Sequence, residues 1–347
     1  MSVATRLDGL DTETRVIGGV GTALAVAAIL SFLVAPALAG PVALAFAAFV
    51  VGSYLVAEGS TARFLLFLTT TSTVLILGFI TVYLVINALP VVREMGLYLL
   101  VGSDPFWSTG SNVYSLVPMM WGTLVTTVIA TLVAAPLGVA GAVFISEVAP
   151  GWAREVVKPA VEMLAGIPSI VYGFIGFTIL SPYFQTELSV PQLGNIFIVG
   201  FVIGVMALPT VVSVAEDAIA AVPDPTKDGA HALGATDWQT TTSVTLPTAF
   251  SGISAAVLLG VGRAVGETMA ATVILANVVE LPTPLTDVFD STITLTSLIA
   301  SQYGAASGLQ MSGLFAAGVV LFVTVMGFSV ASQLIERRMS ERLGGEQ

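Results

Sequence analysis

Eight long apolar stretches make up most of this sequence and restrict what it can fold into. They cover Val16–Ala35, Pro41–Ala57, Phe64–Leu89, Trp121–Ile145, Met163–Leu180, Ile196–Ser213, Ile253–Asn277 and Gly313–Leu334. A helix needs ~20 residues to cross ~30 Å of hydrocarbon, and each stretch is near or above that length. Every backbone polar group in hydrocarbon needs an internal partner, so these stretches form helices and not open strands. The sequence therefore predicts an all-α polytopic membrane protein.

The composition agrees with a membrane protein and excludes several other classes. The chain has 347 residues, of which 56% are hydrophobic and only 10% are charged, whereas soluble domains carry roughly 25% charged residues. Its net charge of -11 argues against a nucleic-acid partner, which needs a basic face. Without cysteine, and with His231 as the single histidine, the sequence gives no reason to expect a metal site or a catalytic group.

The basic residues predict the orientation of the spans. With the N-terminus inside, nine of the eleven basic residues lie on the cytoplasmic side, Arg93 lies outside and Arg263 lies within a span. Basic residues favour the cytoplasmic side of membrane proteins. We therefore expect a multi-pass protein of the cytoplasmic (inner) cell membrane, with both termini and the segment 214–250 in the cytoplasm.

The chain divides into two regions. Residues 1–60 form an extension with two probable transmembrane helices, and a polar link, Glu58–Thr61, separates it from the six spans of residues 61–347. The outer segment 91–120 contains Phe106 and Trp107. These two aromatic residues are interpreted either as part of an interfacial aromatic belt or as a contact with an external partner.

Arg263 and Glu267 are charged residues inside a predicted span. Their spacing of four places them on one face of a helix, and charges within a membrane usually pair or line a cavity. One interpretation is a structural ion pair. The other is an anion pathway in which Glu267 neutralises Arg263 until the anion arrives, because a guanidinium can donate two parallel hydrogen bonds to a tetrahedral oxyanion. The residues alone leave both interpretations open.

The polar stretch Asp228–Pro247 is the most informative segment between spans. Ala230, Ala232 and Leu233 give one small apolar helix face, Gly234 can end that helix with positive φ, and Pro247 can start the next segment. The stretch resembles the E-A-A-x3-G-x9-I-x-L-P loop of ABC-transporter permeases. It begins with an acid and two small residues, has Gly234 after three further residues and Val244 after nine more, and ends with Leu246-Pro247. Asp228, Gly229 and Val244 depart from that pattern, and an ordinary connector is the alternative.

The resemblance to ABC permeases implies that this loop is a helix that docks on an ATPase subunit. The residues implied to dock are Asp228, Gly229, Ala230, Leu233, Gly234, Leu246 and Pro247.

Three further runs resemble the phosphate ABC-importer permeases. They are Arg263–Ala270 (R-A-V-G-E-T-M-A), Glu162–Gly173 (E-M-L-A-G-I-P-S-I-V-Y-G), and Gly122–Thr127 followed by Phe144–Pro150. The likeness covers about residues 64–340, and the Met and Ala after G-E-T favour the PstC type. It implies a type I ABC importer permease (MetI-like) core of six transmembrane helices plus two N-terminal transmembrane helices. It also implies a substrate pathway that includes Arg263, Glu267 and Thr268.

The run at Glu162 contains a second candidate feature. Gly166 and Pro168 can kink the helix, because proline removes a backbone donor, and kinked helices often line transporter cavities. Glu162, Gly166 and Pro168 are therefore possible gating residues. Alternatively, Glu162 marks only the cytoplasmic mouth of its helix, near Arg154 and Lys158.

The resemblance implies an ATP-driven importer of inorganic phosphate that works by alternating access. The implied partners are a related PstA-type permease, two ABC ATPase subunits, an extracytoplasmic phosphate-binding protein and membrane lipid. ATP and Mg are expected in the ATPase. Neither of the two lysines follows a glycine, so this chain lacks a P-loop and is expected to be a transport subunit and not an enzyme. The alternatives are a permease for sulfate, molybdate or tungstate, an ion-gradient-driven secondary transporter, and a membrane scaffold or phosphate sensor.

Overall fold

The computed structural model describes residues 12–342, which are mostly helical. In chain order the α-helices are α1 Thr12–Val34, α2 Pro36–Val56, α3 Glu58–Met95, α4 Tyr98–Val101, α5 Val117–Val143, α6 Gly151–Ala165, α7 Ser169–Ile175, α8 Ser181–Glu187, α9 Ile196–Ala220, α10 Asp224–Ala232, α11 Asp237–Thr240, α12 Leu246–Thr248, α13 Phe250–Gly266, α14 Met269–Ile274, α15 Leu295–Gln302 and α16 Gly308–Arg342. π-helical turns follow α5, α7 and α11 at Phe144–Val148, Gly176–Leu180 and Thr241–Thr245, and strands β1 Trp107–Ser108 and β2 Val113–Tyr114 pair antiparallel.

Six of the described helices are long and apolar enough to cross a membrane, and two bent helix pairs raise the number to as many as eight. The predicted all-α polytopic fold is therefore confirmed. Two of the predicted spans are interrupted, the first of them at the kink that Gly166 and Pro168 predicted. Met163–Leu180 is interrupted by an 88° bend between α6 and the α7–α8 segment. Ile253–Asn277 is interrupted where α13 ends at Gly266 and α14 begins at Met269.

The first compact unit runs from Met1 to Tyr83, and its described part contains α1, α2 and most of α3. The predicted polar link Glu58–Thr61 is wrong as a break, because these residues form the first turn of α3. Within this turn the Thr61 hydroxyl donates to the Ala57 carbonyl at 3.0 Å, and Ser60 accepts from Thr14 at 3.0 Å. Arg6 and both chain termini, which were assigned to the cytoplasmic side, lie outside the described residues.

The second compact unit, Leu84–Gln347, is built around the largely buried helix α9. Asn195 caps this helix by accepting from the Ile198 amide at 2.9 Å, as an N-cap side chain should. Gly204 allows α5 to approach closely, since a Cβ there would lie 2.8 Å from Val133 Cβ and 3.0 Å from the Ala130 carbonyl oxygen. Small residues at such contacts are the usual means of packing membrane helices.

Trp107, in the β1–β2 hairpin of this unit, is half-buried and packs against core residues. Its ring meets Tyr114 edge to face at a centroid distance of 4.8 Å, and its Nε1 donates to Gln302 Oε1 at 2.9 Å. Burial raises the pKa of the Tyr114 phenol above its ordinary value. Part of the Trp107 ring remains exposed, so its role as an interfacial anchor or as a contact for an external partner stays a prediction.

Candidate functional site

Arg263 lies one turn before the end of α13, where this helix packs against α9. Its guanidinium is half-buried, and Nη1 donates to the Thr210 hydroxyl oxygen on α9 at 3.2 Å. Among the side chains that the structure describes, no carboxylate forms an ion pair with Arg263. Burying a cation within a membrane span without an acid partner costs free energy, and another negatively charged group can offset that cost.

Glu267 does not pair with Arg263, so the predicted ion pair on one helix face is wrong. The α-helix ends at Gly266, and Glu267 has extended backbone angles of φ -68° and ψ 126°. The rotation of about 100° per residue that would align positions 263 and 267 is lost at this break. Instead, Glu267 Oε1 accepts from the Ala270 amide at 3.1 Å and caps the start of α14.

Thr268 completes the interruption between α13 and α14. Its hydroxyl donates to the Gly266 carbonyl at 3.2 Å, and its own carbonyl accepts from Thr272 Oγ1 at 2.7 Å. The Glu267 carbonyl in turn accepts from Thr296 Oγ1 at 2.7 Å. The break is thus held by several hydrogen bonds, and irregular backbone of this kind within membrane spans is a recurrent feature of transporter sites.

A cavity of about 380 Å³ lies beside α5, α15 and α16. Trp121, Thr123, Val265 and Leu295 are among its lining residues, and none of the lining residues is charged. Arg263 is not among the lining residues, although it lies only two residues from Val265. The cavity therefore offers an anion no positive charge.

The bend between α6 and α7 lies at Gly166–Pro168, as the sequence predicted for a kink. Gly166 follows the last residue of α6, and Pro168 precedes the first residue of α7. Across the bend, the Tyr172 hydroxyl donates to the Leu164 carbonyl at 3.2 Å. Glu162 is exposed and forms no ion pair with any described residue, and its role in gating stays a prediction.

Arg154 and Lys158, which were expected near Glu162, have other partners. Lys158 pairs with Glu216 and, at 3.0 Å, with Asp217, both on α9. Arg154 donates from Nε to the Ile145 carbonyl at 2.7 Å and from Nη2 to the Ser146 carbonyl. These contacts tie α6 to α9 and to the π-helical turn that follows α5.

The segment Asp228–Pro247, called the 228–247 loop below, contains the helix end that the sequence predicted. Helix α10 ends at Ala232, and Gly234 has φ +87°, a conformation that glycine adopts without steric cost. The Gly234 amide donates to the His231 carbonyl at 2.9 Å. Pro247 lies in the first turn of α12, as expected.

The apolar side chains of the 228–247 loop differ in exposure. Leu233 is 91% exposed and Trp238 is 64% exposed, whereas Leu246 is half-buried against the core residues Ala215 and Ile219. Asp228, Gly229 and Gly234 are also exposed, and Ala230 and Pro247 are half-buried. Leu233 is thus exposed on the surface of the chain, while Leu246 is packed within it.

Lys227 ties the 228–247 loop to the rest of the second unit. Its Nζ lies 2.8 Å from Glu147 Oε1, with exposed side-chain fractions of 20% for Lys227 and 12% for Glu147. Glu147 belongs to the π-helical turn Phe144–Val148 at the end of α5. This pair connects α10 to α5 across 80 residues of sequence.

Thr210, Glu147 and Glu216 were not singled out as partners from the sequence. Thr210 faces Arg263 from 53 positions earlier in the chain, and Glu216 lies 58 positions from Lys158. No sequence-spacing rule predicts a contact between residues so far apart in the chain. Across residues 12–342 the structure also shows no group of three or more histidine, cysteine, aspartate or glutamate side chains that could hold a metal ion.

Comparison with known proteins shows the class to which this polytopic fold belongs. Residues 134–341 match the family described as binding-protein-dependent transport system inner membrane component. The chain is 34% identical over 289 residues to the phosphate transport system permease protein PstC of Haemophilus influenzae, covering 78% of this chain and 90% of that one. It is 35% identical over 251 residues to PstC of Pasteurella multocida, covering 67% of this chain and 78% of that one.

The chain therefore belongs to the family of binding-protein-dependent transport system inner membrane components, and it is a multi-pass membrane permease subunit. The predicted resemblance to phosphate ABC-importer permeases is confirmed by these matches.

Solved structures support the same fold. One is a bacterial alginate ABC transporter in complex with an alginate pentasaccharide-bound periplasmic protein, with TM-score 0.56 and 16% identity, covering 82% of this chain and 97% of that one. Another is the MetNI methionine ABC transporter in an inward-facing conformation, with TM-score 0.51 and 21% identity, covering 65% of this chain and 95% of that one. At these identities the likeness concerns the fold, which is the MetI-like permease fold expected from the sequence.

Proposed function

We propose that this chain is the PstC-type permease subunit of an ATP-driven importer of inorganic phosphate. Two PstC relatives matched over most of their length support phosphate as the substrate. The observation that carries the proposal is Arg263, a half-buried cation beside a helix break with no acid partner among the side chains that the structure describes. Such a guanidinium is suited to bind a tetrahedral oxyanion as it passes through the membrane.

The proposed assembly contains a PstA-type permease, two ABC ATPase subunits that bind ATP and Mg, and an extracytoplasmic phosphate-binding protein. The family description supports a binding-protein partner. The exposed Leu233 and Trp238 of the 228–247 loop support docking of an ATPase, because large apolar side chains at a solvent-facing loop fit a partner's groove.

In this proposal both termini and the 228–247 loop are cytoplasmic, in accord with the distribution of arginine and lysine. ATP binding closes the ATPase pair, and the 228–247 loop transmits that movement to α5, α9 and α13. Phosphate released by the binding protein reaches Arg263 in an outward-open cavity, and hydrolysis then opens the cavity inward. Residues 1–60 are proposed as a two-helix extension of the six-helix permease domain 61–347.

The test is uptake of labelled phosphate into vesicles that contain this chain, its partner permease, the ATPase and the binding protein. We expect uptake that requires ATP and resists unlabelled sulfate, molybdate and tungstate. Inhibition by one of these competitors would identify a different oxyanion as substrate. Uptake that persists without ATP would contradict ATP-driven import and the docking role of the loop.

A further inference from the structure

Several threonines on the membrane helices of this chain donate their hydroxyl proton to a backbone carbonyl four residues earlier. Thr126, Thr127 and Thr131 on α5 donate to the carbonyls of Gly122, Thr123 and Thr127 at 2.7, 2.6 and 2.8 Å. Thr324 on α16 donates to Val320 at 2.8 Å. A hydroxyl bonded to the carbonyl four residues earlier has no proton left for another acceptor.

Thr210 on α9, like Thr123 on α5, shows no such hydrogen bond. Its Oγ1 accepts a hydrogen bond from Arg263 Nη1 at 3.2 Å. Among the described residues, its hydroxyl finds no carbonyl or side-chain acceptor, so the hydroxyl proton remains available. A hydroxyl can accept from one group and donate to another at the same time.

Arg263 likewise retains unused donors. A guanidinium has five N–H groups, and Thr210 is the only acceptor that the described residues offer to them. Glu267, the acid expected to neutralise Arg263, is engaged with the Ala270 amide instead. Both Arg263 and Thr210 are half-buried, so a group that reaches one of them also lies close to the other.

We propose that Thr210 and Arg263 together form a two-residue oxyanion site between α9 and α13, in which the Thr210 hydroxyl donates to the anion that Arg263 binds. The inference rests on the proposed function and adds a second binding residue to it. Arg263 Nη1 and Thr210 Oγ1 lie 3.2 Å apart. Two donor groups this close can donate hydrogen bonds to two oxygens of one tetrahedral anion. The ligand class is an oxyanion with unprotonated oxygens, and the probe is inorganic phosphate.

The test compares Thr210→Val, which keeps the side-chain shape and removes the hydroxyl, with Thr210→Ser, which keeps the hydroxyl. The complete reconstituted complex is used with saturating binding protein, and uptake is measured beside ATP hydrolysis and subunit assembly. We expect Thr210→Val to lower phosphate uptake about tenfold, the effect of losing one hydrogen bond to a charged group. Thr210→Ser should retain at least half of the wild-type rate, and both variants should assemble to the wild-type extent.

Thr131→Val is the matched control, because the hydroxyl of this half-buried threonine on the adjacent helix α5 already donates its proton to the Thr127 carbonyl. Its uptake should stay within twofold of wild type. Wild-type uptake by Thr210→Val, or equal losses in Thr210→Val and Thr210→Ser, would overturn the role of the hydroxyl. If Thr210→Val failed to assemble, Thr210→Ala would replace it, and equal uptake by the Ala and Ser variants would overturn the inference.

The wild-type complex separates this inference from the function on which it rests. If it takes up phosphate with ATP while Thr210→Val is unaffected, only the role of Thr210 is wrong. If the wild-type complex takes up no phosphate, the proposed function and the oxyanion site are both contradicted.

Discussion

Lys227 and Arg263 are both half-buried cations, but only Lys227 has an acid partner among the described residues. Lys227 pairs with Glu147 at 2.8 Å, and this pair joins α10 to the π-helical turn that follows α5. Among the described residues, Arg263 donates a hydrogen bond only to the neutral Thr210 hydroxyl, beside the break between α13 and α14. A charge that is paired within the chain holds elements together, whereas a charge left unpaired in the membrane is available to a ligand.

The largest effect is expected when the unpaired cation is neutralised. Arg263→Gln keeps a polar side chain but removes the charge, so phosphate uptake should fall roughly 100-fold, since a charged partner of an anion is worth several kcal/mol. The measurement is ATP-driven uptake normalised to assembled complex. Arg93→Gln, at an exposed position in the last turn of α3, is the control and should transport normally. Near-normal uptake by Arg263→Gln would show that Arg263 has a structural role.

The next effect concerns the proposed docking face of the 228–247 loop. Gly234→Asp adds a charge beside Leu233 and strains a residue at φ +87°, at a cost of about 1 kcal/mol from backbone strain alone. We expect the ATPase to be lost from the purified complex, as measured by its ratio to the permease. Gly304→Asp, at another glycine whose Cβ would meet open space, should leave that ratio unchanged. Full retention of the ATPase by Gly234→Asp would mean that the docking assignment is incorrect.

A smaller effect is expected when the paired cation loses its acid. Glu147→Gln leaves Lys227 without a counter-charge, at a cost of about 1–3 kcal/mol, so the purified protein should unfold at a lower temperature and uptake should fall a few-fold. Thermal unfolding in detergent and uptake are the two measurements.

The double variant Glu147→Gln with Lys227→Met removes both charges and provides the control for this pair. It should recover part of the stability, because removing both partners costs less than leaving one charge unpaired. Additive losses in the double variant would show that the two residues do not act as a pair, and the contrast with Arg263 would disappear.

The smallest effect is expected far from both cations. Trp107→Phe removes the hydrogen bond to Gln302 and keeps an aromatic ring against Tyr114. A neutral hydrogen bond contributes about 1 kcal/mol, so the unfolding temperature should drop slightly and uptake should change less than twofold. A large loss of uptake with unchanged stability would instead favour the external-contact interpretation of Trp107.

Local sequence rules predicted much of this molecule correctly. The apolar stretches predicted the membrane helices, Gly234 predicted the end of α10, and Gly166 with Pro168 predicted the bend that proved to be 88°. Each of these features depends on hydrophobicity or backbone conformation within a few residues. The resemblance to phosphate permeases also came from short contiguous runs.

The partners of the charged residues could not be predicted in the same way. The spacing of Arg263 and Glu267 predicted a pair only if the helix continued, and nothing between Gly266 and Thr268 signals that it ends. Thr210 and Glu147 face their partners from 53 and 80 positions away. Such contacts arise from the packing of α9 against α13 and of α10 near α5, which no local pattern encodes.

The most direct test of the contrast between the two cations is a structure of the assembled complex with phosphate trapped in the membrane. The account predicts tetrahedral density within hydrogen-bonding distance of the Arg263 guanidinium and the Thr210 hydroxyl, while Lys227 remains paired with Glu147. Density for phosphate elsewhere, with Arg263 paired to a carboxylate of this chain or of its partner permease, would contradict it.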